Sequence, residues 1–140
     1  AVHRAAHAAA GAEQRIWWAI FERAAHYRAL ESVTPPQGWS LPDKDYLDNF
    51  TTEGYDVAYA LSDVPLAAKR AAMLAHATQI WVADGSLTTV NPRSAQAGLS
   101  NPTDVPAAYA LSNLLTMPLL RHEFYQPGRG EPSETLVGEK

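Results

Sequence analysis

His3 and His7 stand four residues apart. That spacing puts two imidazoles on one face of a helix, where a third ligand would complete a metal site. It is equally the spacing of a solvated helix face. His76 and Gln79 lie where the alanine-rich segment Lys69–Ile80 ends. Here His76 either serves the last helical carbonyls and the negative end of the helix dipole, or the pair fixes a loop beside a substrate. Ser112 and Asn113 fall at an expected helix start. Ser112 suits an N-cap. Asn113 can turn its amide toward a sugar hydroxyl or an acetyl group, because helix N-termini favour such polar contacts. Asn113 is therefore the first candidate for a functional side chain. The carboxylates Asp43, Asp45, Asp48, Glu53 and Asp56 are scattered over loop and strand ends and read as solvated rather than paired.

These residues need elements to hold them. Residues 1–13 read as the rear of a helix ending near Gly11. Its alanine-rich start has no N-cap residue and no initiator Met, so a helix cut open and a chain that is a fragment are expected. Arg15–Phe21 is a run of β-formers that predicts a strand buried on both faces of a parallel or mixed sheet. A helix is expected over Glu22–Glu31 and a Pro/Gly loop over Val33–Asp45; Tyr46–Gly54 carries no clear pattern. Tyr55–Leu61 alternates and predicts a strand with Tyr55, Val57, Tyr59 and Leu61 on one face. Ser62 or Asp63 caps a helix running to Thr78, with Pro65 in its first turn. Ile80–Val82 suggests a short strand closed by the Asp84-Gly85 turn. Residues 86–106 read as a long surface excursion, Asn113–Glu123 as a final helix interrupted at Pro118, Phe124 and Tyr125 as an edge strand, and Gly128–Lys140 as a frayed tail. Strands alternating with helices predict an α/β fold. Trp17, Trp18, Tyr55 and Tyr59 are expected to pack in the core; Trp39, in a loop, is either anchored or exposed for binding.

Composition narrows the function. The 140 residues carry a net charge of −4, which offers no basic field for nucleic acid or for an anionic membrane. There is no cysteine, hence no disulfide framework, in keeping with a reducing cytoplasm. No apolar run reaches the roughly 20 residues of a membrane span. The first residues lack the apolar segment of a signal peptide, so none is expected.

The segment Lys69–Ile80 with its His76-Ala-Thr-Gln79 end, then Ala110-Leu-Ser-Asn113, Met117-Pro-Leu-Leu120 and His122-Glu-Phe-Tyr125, resembles in order the C-terminal half of the PIG-L-type zinc de-N-acetylases. The likeness is fullest over Asp56–Ile80 and Ala107–Glu123, and collinear at Arg15–Trp18. Val2-His-Arg-Ala5 is similar to the residues just after that family's His-Pro-Asp-His motif. The resemblance implies the C-terminal part of a Rossmann-like fold with a mixed sheet. It places residues 1–125 in one deacetylase domain, with 86–106 as an insertion and 126–140 as a flexible tail. It also implies zinc, with the ligands and the general base upstream of position 1, in His-Pro-Asp-His and Ala-His-Pro-Asp-Asp-Glu motifs. No metal ligand and no catalytic residue is then expected within this chain. His3 would stand one helical turn past a ligand and support it, and Asn113, Ser112 and His76 would be the substrate-side candidates.

The implied chemistry is hydrolysis of the N-acetyl amide of an N-acetylglucosamine conjugate, of the N-acetylglucosaminyl-inositol type found in mycothiol biosynthesis. Zinc would activate water and polarise the carbonyl. The partners expected are the amino-sugar conjugate and the N-terminal half of the same enzyme, without which this piece is inactive. A mycothiol-conjugate amidase of the same family ranks behind, because Ala110-Leu-Ser-Asn113 looks more like the deacetylase. A non-catalytic interaction domain on the same half-fold is the reading from a different class. Upstream sequence discriminates these readings.

Overall fold

The β-formers after Arg15 make strand β1 (Ile16–Ile20) in the computed structural model, which describes residues 2–11, 14–85 and 95–129. Before it comes helix α1 (Val2–Ala9), as the alanine content predicts. Glu22 then caps α2 (Arg23–Leu30), its carboxylate accepting the Ala25 N–H at 2.6 Å. A two-residue strand β2 (Val33–Thr34) comes next, and then α3 (Lys44–Phe50), capped by the Asp43 carboxylate on the Tyr46 N–H. After these stand β3 (Val57–Ala60) and the longest helix, α4 (Asp63–Ala75). The remainder is strand: β4 (Trp81–Val82), β5 (Gly98–Leu99), β6 (Ala107–Ala110), β7 (Met117–Leu119) and β8 (His122–Arg129).

The strands form three small sheets, ordered β1-β8-β3, β2-β5 and β4-β6-β7, and every strand pair among the described residues is antiparallel. Helices with sheets agree with the expected α/β class. The strand buried on both faces of a parallel or mixed sheet is not found at β1: it lies in an antiparallel sheet, paired with β8, and is only half-buried. Parallel pairing is confined to isolated bridges such as Glu22 with Thr52 and Ser40 with Leu115.

The expected helix over 113–123 is replaced by a turn and two strands. Ser112 and Asn113 lie in the turn, and Leu114 adopts a left-handed φ of 58° that lets the chain reverse from β6 into β7. Pro118 then sits inside β7, opposite Ala108. The edge strand expected at Phe124-Tyr125 is instead the eight-residue centre of a sheet. It runs to Arg129, so residues 126–129 are strand and not tail. Pro127 cannot donate to the ladder, and the register with β1 shifts beside it, between Ile16 and Trp17. The expectations for residues 130–140 and for 86–94 of the insertion lie outside the described residues.

Three groups of buried side chains fill the interior. Ala29, Val33, Ala83, Ala97, Val105 and Ala108 form one, with Trp39 packed on it, so that tryptophan anchors its loop on the core. Ala97 and Val105 belong to the stretch read as a surface excursion, yet both are buried. Leu61, Leu66, Val82, Ala107 and Leu119 form the second group, and Leu30, Leu47 and Met117 the third. The alternation read in 55–61 is only half kept. Val57 and Leu61 are buried, whereas Tyr55 and Tyr59 are 41% and 42% exposed rather than in the core. α4 stops at Ala75, three residues before the expected Thr78, and buries Leu66 alone.

Candidate functional site

A cavity of about 190 Å³ lies where β1, α2, α4, β7 and β8 meet, walled by Ile20, Phe21, Met73, Leu119 and Phe124. Five side chains with polar groups line this apolar wall: His26, Lys69, Tyr109, His122 and Glu123. The α2 helix carries His26 inward, and its residue is 3% exposed. Its Nδ1 lies 2.8 Å from the Glu22 carbonyl. A carbonyl only accepts, so Nδ1 bears the proton and the neutral ring presents a bare Nε2. Phe21 packs edge-on against the ring at 5.3 Å. At the rim Lys69 Nζ donates to Glu123 Oε1 at 2.9 Å, and the Tyr125 hydroxyl donates to Glu123 Oε2 at 2.7 Å.

Burial sets the electrostatics. Desolvation lowers the His26 pKa below 6.5, against the raising pull of the Glu22 carbonyl and carboxylate. For Glu123, desolvation pushes upward but is outweighed by the hydrogen bonds from Tyr125 and Lys69 and by the Lys69 charge, so its carboxyl is held below 4.5. Tyr125 is pushed up to about 12 by burial and then by its bond to Glu123, and Tyr109 to about 12 by burial and then by Tyr46. At neutral pH His26 is therefore a neutral imidazole, Glu123 a carboxylate, and Tyr109 and Tyr125 protonated phenols.

The depressed His26 pKa has a consequence for stability. Below its unfolded value of about 6.5 the unfolded chain binds a proton that the folded ring resists. Stability is therefore full above that pH and is lost as pH falls from about 6.5 toward the folded pKa, with a slope of up to about 1.4 kcal/mol per pH unit. Urea unfolding at pH 7.5 and at 5.5, for the wild type and for His26→Gln, checks this. The wild type should lose more stability than the variant, and equal losses would contradict it.

A second cavity, of about 210 Å³, lies across Tyr109 and Phe21, which line both. Its wall is aromatic: Phe50 sits 4.7 Å from Phe21 and 5.6 Å from Tyr46. Asn113 stands on its edge, as does Ile80. The Ile80 N–H donates to the His76 carbonyl at 2.9 Å. The segments around His76 and Asn113, 37 positions apart, thus come to one cavity (113 − 76 = 37).

His76 keeps its expected place at the end of a helix, whereas Asn113 does not keep its own. His76 ends α4 through its backbone, its N–H donating to the Met73 carbonyl, with the residue exposed. Gln79 is exposed and returns its N–H to the His76 carbonyl at 2.8 Å. Asn113 does not open a helix; its Oδ1 accepts the Leu115 N–H at 3.2 Å and closes the turn. Its NH₂ has no partner among the described residues. Ser112 is exposed beside it.

His7 packs its ring 5.4 Å from Trp18, and the side chain of His3 lies outside the described residues. Among the described residues no group of three or more His, Asp or Glu side chains converges as a metal site, so these residues do not by themselves fit a three-ligand zinc centre. His26, Lys69 and Glu123 were not singled out by the sequence. Their one available signal is a histidine in the middle of an apolar helix face.

No model of a known protein family matches the chain. Individual proteins do match. Over 131 residues it is 41% identical to the 1D-myo-inositol 2-acetamido-2-deoxy-alpha-D-glucopyranoside deacetylase of Corynebacterium glutamicum (strain R), covering 93% of this chain and 42% of that protein. The protein of the same name from Corynebacterium diphtheriae is 42% identical over 121 residues, 84% of this chain and 40% of its own length. That from Corynebacterium kroppenstedtii is 50% identical over 104 residues, 74% of this chain and 24% of its own. The chain spans about two-fifths of the length of the first two relatives. These three proteins carry one name, and by sequence this chain belongs to their family.

Proposed function

We propose that the chain is the C-terminal portion of a zinc-dependent deacetylase that hydrolyses the N-acetyl amide of an N-acetylglucosaminyl-inositol conjugate, as in mycothiol biosynthesis. The observation that carries this reading is the 41% identity over 93% of the chain to a deacetylase of that substrate. The zinc ligands and the general base lie outside these residues, on the N-terminal half that completes a Rossmann-like PIG-L fold. This chain supplies sheet, cavity wall and a substrate contact. Asn113 is that contact: its NH₂ stands at the edge of the aromatic cavity and is left over once Oδ1 has closed the turn. Ser112 and the His76 segment flank it. A cytoplasmic enzyme fits a chain with no cysteine and, among the described residues, no helix long and apolar enough to cross a membrane.

The test is acetate release from 1D-myo-inositol 2-acetamido-2-deoxy-alpha-D-glucopyranoside by the protein expressed from its whole reading frame. Release that a chelator abolishes and zinc restores is expected. No release under conditions where the Corynebacterium glutamicum protein turns over would reject the reading. Asn113→Ala should lower kcat/KM about tenfold, the scale of one lost hydrogen bond to a buried polar group. An unchanged kcat/KM would remove Asn113 from the site without touching the deacetylase assignment.

A further inference from the structure

We propose that the cavity beneath Phe21 is a separate binding site for a small apolar molecule bearing a single hydroxyl, which donates its hydrogen to His26 Nε2. The ring lines that cavity, and its Nδ1 is committed to the Glu22 carbonyl at 2.8 Å. Nε2 has no protein partner among the described residues. Thr116 Oγ1 is the one fully enclosed side-chain polar atom among them without a partner, so Nε2 touches open space, and the cavity is the space that the His26 side chain lines. A side chain whose residue is 3% exposed thus aims an unused acceptor into an apolar space. A ligand hydroxyl that donates to this nitrogen makes its hydrogen bond in an apolar surrounding, where such a bond is stronger than in water.

The size and lining choose the ligand class. An apolar cavity of about 150 Å³ takes up benzene, and this one, at about 190 Å³, accommodates a ring with one substituent. The apolar walls are Phe21, Met73, Leu119, Phe124 and Ile20, and beside His26, Lys69 and Glu123 the remaining polar side chains of the lining are Tyr109 and His122, too few to match a ring of hydroxyls. Lys69 and Tyr125 are both already joined to Glu123. A sugar or inositol, with hydroxyls around the whole ring, would leave most of them unpaired, so the amino-sugar substrate does not belong here. The inference is independent of the deacetylase reading.

Phenol, toluene and myo-inositol are the probes, titrated into the full-length protein carrying ¹⁵N-labelled histidine and followed by NMR. Phenol should move the His26 Nε2 resonance in the direction of an accepted hydrogen bond and bind about tenfold more tightly than toluene. myo-Inositol should leave the resonance in place. In His26→Phe, phenol and toluene should bind alike. If that variant does not fold, the wild-type comparison decides alone. Equal affinity for phenol and toluene, a response to myo-inositol, or no response at His26 to phenol would each overturn the proposal.

Discussion

Leu47→Ala is expected to lower the folding free energy by about 3 kcal/mol, within the roughly 2–5 kcal/mol span for truncating a buried leucine. Leu47 is 3% exposed and packs with Leu30 and Met117, flanked by Tyr27, Tyr46 and Tyr109. It is the one buried residue of α3. Its loss removes the apolar contact that seats a seven-residue helix too short to persist alone. The neighbours cannot collapse into the gap without moving two tyrosines and the β6–β7 hairpin. What remains at this junction is the half-exposed packing of Phe50 on Phe21 and a set of polar ties. Arg23 Nη2 donates to the Asp48 carbonyl at 3.0 Å, and the Tyr27 hydroxyl donates to the Asp48 carboxylate at 3.0 Å. Such bonds at a part-exposed surface contribute on the order of 1 kcal/mol each. Urea unfolding followed by tryptophan fluorescence measures the loss. At a slope of about 2 kcal/mol/M the midpoint should fall by roughly 1.5 M. A loss under about 1 kcal/mol would mean that α3 is held by these other contacts and not by Leu47.

Thr116→Val should do the reverse and raise stability by about 1 kcal/mol. Thr116 is 0% exposed, and its hydroxyl oxygen has no hydrogen-bond partner. Its backbone is satisfied: the N–H donates to the Ser40 carbonyl at 2.8 Å, and the Ser40 N–H in turn donates to the Leu114 carbonyl at 3.1 Å. The penalty is therefore confined to one desolvated hydroxyl, which a methyl of similar shape replaces without opening space. Thr116→Ser provides the contrast, since it keeps the hydroxyl, loses the methyl and should destabilise. If valine destabilises as much as serine does, the hydroxyl has a partner in solution.

The parts legible in the sequence are those whose signal is local. The apolar run before Phe21 gave a strand, and the Ser62/Pro65 start gave a helix, though without a side-chain cap bond from Ser62, because propensity and the fixed φ of proline act within a few residues. The 113–123 segment misled for the same reason. An Asn that closes a turn on the Leu115 N–H uses the same side-chain chemistry as one that caps a helix. Pro118 and Pro127 argue against strands in isolation, and only the pairing with Ala108 and the register shift beside Trp17 makes room for them. α3 was unreadable because it buries one side chain and so shows no apolar stripe. Asn113, which lines one cavity, was singled out through a resemblance carried by adjacent residues. The His26–Lys69–Glu123 group was not, since its members lie 43 and 54 positions apart and meet only through the antiparallel β1-β8-β3 sheet and the helices beside it (69 − 26 = 43; 123 − 69 = 54).

The place of β8 between β1 and β3 governs the order in which this protein can be born. About a hundred residues separate the end of β1 from the start of β8. At roughly 5–20 residues per second, a ribosome takes roughly 5–20 s to make them. β1 waits with an open edge throughout that interval, and β3 joins it once Ala60 has been made, the condition under which nascent chains pair with one another. A ribosome stalled before His122 would therefore hold two unjoined strands, and a nascent-chain chaperone would find its longest window of work there.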